Sequence, residues 1–104
     1  MAASSLLGSV YAGAQASGLF GDADIKVRAK AYEHYSTGNI RQSFIHVTVK
    51  ILSGRDLAQR KSLSAFIMSE LNDLFELEAP LAGSTSITVE VLDIEKASYV
   101  KCVK

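Results

Sequence analysis

The stretch Phe44 to Leu57, FIHVTVKILSGRDL, constrains the fold more than any other, because a strict period of two runs into a glycine break and then a helix start. Ile45, Val47, Val49 and Ile51 alternate with Phe44, His46, Thr48 and Lys50, the pattern of a strand with one buried face. Ser53, Gly54 and Arg55 form a short connection, and Asp56 with Gln59 three positions on makes a variant of the capping box that opens the next helix. The loop sets a guanidinium beside a helix N-terminus, and both favour an anion. Arg55 is therefore the first candidate for binding a carboxylate, although an arginine in a polar loop is by default a solvated surface residue.

The same two periods divide the rest of the chain. Ser4 or Ser5 can cap a helix over about 5–17, with Leu6, Leu7, Val10, Tyr11 and Ala14 recurring at three and four and Gly18 as its stop. Asp24 to Tyr32 alternates again, Ile25, Val27, Ala29 and Ala31 against Lys26, Arg28, Lys30 and Tyr32, and predicts a strand. A polar loop over 35–42 leads to the central strand. The spacing of Leu63, Phe66, Ile67, Leu71, Leu74 and Phe75 predicts one apolar stripe on a helix over about 57–75, with Arg60, Lys61 and Glu70 off it. Pro80 and Gly83 punctuate the next loop. Ser86 to Leu92 predicts another strand, Ile87, Val89 and Val91 opposite Thr88, Glu90 and Leu92, and the weakly patterned tail over 94–103 could add a short edge strand.

In order, the elements are helix, strand, strand, helix, strand. The second half is a complete β-α-β unit and the first half is the same unit without its opening strand. This predicts an α+β fold, two β-α-β units forming a four-stranded sheet with two helices on one face, in a single domain spanning 1–104, with the first strand missing. The face left uncovered would carry Lys26, Arg28, Lys30, His46, Thr48, Lys50 and Glu90. Glu90 could pair across strands with the basic residues, and contacts between copies could cover the whole face.

Composition removes several functions. Eleven basic and eleven acidic residues give no net field for nucleic acid or a membrane surface, and a base-stacking sheet would need more aromatics than Phe44 and Tyr32. No segment reaches membrane-spanning length. The opening residues lack the basic start and sustained apolar core of a secretory signal. Cys102, the one cysteine, cannot close an intramolecular disulfide, which points to the reducing cytoplasm. His34 and His46 are far apart in sequence and no metal-ligand spacing occurs, so no metal is expected and His46 reads as structural.

The runs ASGLFGDADIKVRA, YEHY, FIHVTVKILSGRDL and SITVEVLDIEKASYVK together resemble the 5-carboxymethyl-2-hydroxymuconate isomerase family of the tautomerase superfamily, from about Leu6 onward. The resemblance implies a cytoplasmic homotrimer of paired β-α-β units that isomerises a small enol dicarboxylate in aromatic-acid breakdown, without a cofactor. It also implies proton transfer by the amine of an N-terminal proline, with cationic groups holding the carboxylates. Arg55 matches the arginine of the family's loop after the central strand. Lys26 stands where the family has an arginine at the start of its second strand, and Arg28 matches the basic residue two further on.

The departure is at the start. Pro80 is the only proline, so no catalytic residue is identifiable for the proton transfer. The amine of Ala2, freed by removal of Met1, is no substitute. The family's first helix runs back antiparallel to the opening strand, which puts its start about 20 Å or more from the site for a strand of about seven residues. Either the strand and proline belong to sequence upstream of Met1, or the chain is a relative that binds an acidic small molecule, or serves as an assembly module, without catalysing. The open sheet edge left by a missing strand favours the first account.

Overall fold

The computed structural model describes residues 1–38, 42–78 and 84–104. Its elements are helix α1 (Ala3–Ala16), strand β1 (Ser43–Leu52), helix α2 (Leu57–Glu78) and strand β2 (Thr85–Ile94), with single 3-10 turns at Asp22–Asp24 and Lys96–Ser98. β1 and β2 pair in parallel from Ser43 opposite Thr85 to Leu52 opposite Ile94. Together β1, α2 and β2 make the predicted β-α-β unit.

The alternation of β1 holds through the strand. Ile45, Val47, Val49 and Ile51 turn inward, while Phe44, His46, Thr48 and Lys50 are exposed. On β2, Ile87, Val89 and Val91 join them against a core of Ala14, Ile51, Leu63, Ile67 and Leu71. Leu63, Ile67 and Leu71 are fully buried at spacings of four, so α2 commits one narrow stripe to the interior. Phe66, expected on that stripe, is 41% exposed. It lies one position from Ile67, which rotates it by about 100° around a helix of 3.6 residues per turn.

α1 packs antiparallel on α2: Ser5 reaches Glu78, Gly13 lies on Ile67, and Leu19 meets Arg55. Gly13 is required by this approach, since a Cβ there would stand 2.6 Å from the Ile67 Cα and 2.9 Å from its N. The helix stops where Gly18 adopts φ 71°, with its N–H on the Gln15 carbonyl and the Ser17 N–H on that of Gly13. Its start differs from the expected serine cap. The N-cap is Ala2 and makes no side-chain bond, and Ser4 and Ser5 lie inside the helix, with the Ser5 hydroxyl turned toward Glu78 at 3.4 Å.

The four-stranded sheet is not what the described residues form: they contain a two-stranded parallel sheet. Asp24 to Tyr32, predicted as a strand, begins in the 3-10 turn and continues without a ladder partner among the described residues. Its side chains keep part of the predicted alternation, with Ile25 and Val27 half-buried, but a strand is defined by backbone pairing and none is available to it there. The tail is likewise no edge strand, turning at Lys96–Ser98 and ending without regular structure. Asn39, Pro80 and Gly83, read as loop residues, lie outside the described residues.

Candidate functional site

Both strands of the sheet point their carboxyl ends the same way, so the connections leaving them converge on one rim. In parallel α/β units this rim is where ligands are generally held. Here the pairing overruns the strands: the Ser53 N–H donates to the Ile94 carbonyl at 2.9 Å, and the Lys96 N–H to the Ser53 hydroxyl at 3.2 Å. The β1–α2 loop and the turn after β2 are thereby fixed to each other. Between them opens a cleft of ≈ 430 Å³ lined by Leu52, Ser53, Gly54, Arg55, Gln59 and Lys96. Gly54 carries φ 123°, a conformation that side-chain-bearing residues rarely adopt, and this lets the strand turn sharply into the helix.

Arg55 is held on three sides. Its Nη1 donates to the Leu52 carbonyl at 3.3 Å and its Nη2 to the Leu19 carbonyl at 3.0 Å, while the guanidinium lies 5.1 Å from the centre of the Phe20 ring. A guanidinium has five N–H donors, and two of them are used on carbonyls. Fixing it in this way removes rotamer entropy that a free arginine would lose on binding. The expected capping box is present in reciprocal form, the Gln59 N–H donating to Asp56 Oδ1 at 2.8 Å and the Asp56 N–H to Gln59 Oε1 at 3.0 Å. Replacing Asp56 by alanine is expected to lower stability by about 1 kcal/mol in urea denaturation, the usual cost of an N-cap.

Of the three sequence candidates, only Arg55 lines the cleft. Lys26 and Arg28 stand exposed on 25–32, without a hydrogen bond or ion pair among the described residues. Lys96 is a site residue that no motif announces. Its one signal is positional: it lies two residues past Ile94, the last ladder residue of a strand parallel to the one that ends just before Arg55.

A second polar cluster occupies the outer sheet face. His46 Nδ1 shares a hydrogen bond with the Thr88 hydroxyl at 2.6 Å, His46 Nε2 pairs with Glu90 Oε2, and the Thr48 hydroxyl donates to the same carboxylate oxygen at 3.4 Å. The partner of Glu90 is thus His46, and not the basic residues of 25–32. Among the described residues no group of three metal-ligating side chains occurs, and no helix is long and apolar enough to cross a membrane.

A β-α-β unit with a second helix packed antiparallel on the first, and a clamped arginine at the carboxyl end of its strands, makes this an α+β domain. The family model for 5-carboxymethyl-2-hydroxymuconate isomerase matches residues 1–102, and the chain belongs to that family. No curated protein matches the sequence.

Proposed function

We propose that this protein is a cofactor-free isomerase of small unsaturated enol dicarboxylates of the 5-carboxymethyl-2-hydroxymuconate type, and that Arg55 anchors one carboxylate in the cleft at the end of β1. The observation that carries the reading is the clamped guanidinium lining the cleft. Muconates carry at least two carboxylates, so cationic anchors suit such a substrate. A carboxylate paired with Arg55 also draws electron density from the conjugated system, which favours loss of the enol proton. Lys26 and Arg28 fit as further contacts if 25–32 approaches the bound substrate.

The proton acceptor in the family pattern is an N-terminal proline amine, and no position in residues 1–104 matches it. The far end of α1 does not reach the cleft. Ser5 lies at the Glu78 end of α2, whose 22 residues rise about 33 Å from the Arg55 end. The described residues that line the cleft include no carboxylate or imidazole. This observation favours, as a second reading, a relative that binds the enol without converting it.

The two readings are separated by following the ultraviolet absorbance of 2-hydroxymuconate as its enol is lost. For the isomerase the expected result is saturable ketonisation above the buffer rate. Saturable binding without ketonisation supports the second reading, and absence of binding contradicts both. On the outer sheet face Phe44 is 47% and Leu92 43% exposed, apolar surface that contacts between copies would cover; the homotrimer, the cytoplasm and aromatic-acid catabolism are carried over from what the family implies. Sedimentation at three times 11.2 kDa is the expected result for that assembly.

A further inference from the structure

We infer that Lys96 is a second carboxylate contact of the Arg55 cleft and that it makes the site selective for a dianion over a monoanion. The inference rests on the reading of this cleft as the substrate site. It adds a contact to those proposed for Lys26 and Arg28, which do not line the cleft.

The backbone fixes where Lys96 stands. Its N–H is bound to the Ser53 hydroxyl, and the turn around it is closed by the Ser98 N–H on the Glu95 carbonyl at 3.2 Å and the Tyr99 N–H on the Lys96 carbonyl at 3.3 Å. Lys96 therefore belongs to the same rigid rim as Arg55, two residues from it through the Ser53 bond.

Neither cation of the rim is ion-paired among the described residues. The ion pairs among the described residues are His46 with Glu90 and Lys101 with Asp24 at 3.7 Å, so neither Arg55 nor Lys96 has an acidic partner there. The two acids nearest in sequence accept hydrogen bonds from other groups. Asp56 accepts the Gln59 N–H at 2.8 Å, and Glu95 accepts the Ser98 hydroxyl at 3.1 Å. With two cations on one rim, a ligand with two carboxylates can gain a contact to each, and a monoanion to only one.

trans,trans-Muconate and sorbate test this, because they share a six-carbon diene and differ by one carboxylate. Isothermal titration of the full chain at fixed ionic strength is expected to show muconate binding about fivefold tighter than sorbate, the scale of one partly exposed charge-assisted contact. Lys96→Met should remove that preference by weakening muconate alone, and Lys96→Arg should restore it. The Lys96 side chain makes no bond among the described residues and its backbone bond to Ser53 is kept in both variants, so folding is not at issue. A muconate preference that survives Lys96→Met overturns the role of Lys96 and leaves Arg55 as the anchor. Failure of both probes to bind the parent protein overturns the reading of the cleft itself.

Discussion

Replacing Arg55 with methionine is expected to weaken binding of trans,trans-muconate at least tenfold and to lower stability by about 2 kcal/mol. Two effects combine. The ligand loses its charged anchor, and the protein loses the bonds that tie the loop after α1, through the Leu19 carbonyl, to the end of β1, through the Leu52 carbonyl. Bonds from a charged donor contribute more than neutral ones, and the Phe20 ring 5.1 Å away adds a cation–π term of about 0.5–1 kcal/mol. Arg55→Lys separates the effects. An ammonium keeps the charge but cannot span two carbonyls as a planar fork does. The lysine variant should therefore lose stability nearly as methionine does while keeping more of the affinity. Urea denaturation and titration on the same samples give both numbers, and equal loss of affinity in the two variants would show that the clamp matters and the charge does not.

The other large effect is expected at Gly13. Gly13→Ala should destabilise the protein by about 2–3 kcal/mol, because the new methyl meets backbone and forces α1 away from α2. The nature of the obstacle gives a sharper test. Truncating Ile67 to alanine removes most of its side chain but leaves the Cα and N that stand 2.6 and 2.9 Å from the place an alanine Cβ would take. Ile67→Ala therefore should not rescue Gly13→Ala. The double variant should be less stable than either single one, with Ile67→Ala itself costing about 2–4 kcal/mol for its cavity. Rescue would mean that the contact is made by side chains and that the helices can close over it.

Much of this architecture was legible in the sequence because it is local. The period of β1, the Asp56–Gln59 box and the Gly18 stop each depend on residues within a few positions, and each is found where the pattern put it. The errors share a cause as well. Alternation over 24–32 specifies faces but not partners, and a strand needs a neighbour the period cannot supply. Serine near a helix start suggests a cap, yet Ser5 has Glu78 within reach across the helix pair, which depends on packing 73 residues away in sequence. At the site, Arg55 was visible through its loop, whereas its attachment to Leu19 and Phe20 arises only once α1 docks. Lys96 was hidden because its tail has no period, and only the parallel register brings it to the cleft.

The central claim, that the rim at the end of β1 is the anion site, is tested most directly by mapping amide chemical shifts in a nitrogen-15 correlation spectrum as trans,trans-muconate is added. Saturable shifts confined to residues 52–59 and the turn around Lys96, with smaller ones at Leu19 and Phe20, are the expected result. Shifts centred instead on His46, Thr88 and Glu90, on the outer face of the sheet, would contradict it.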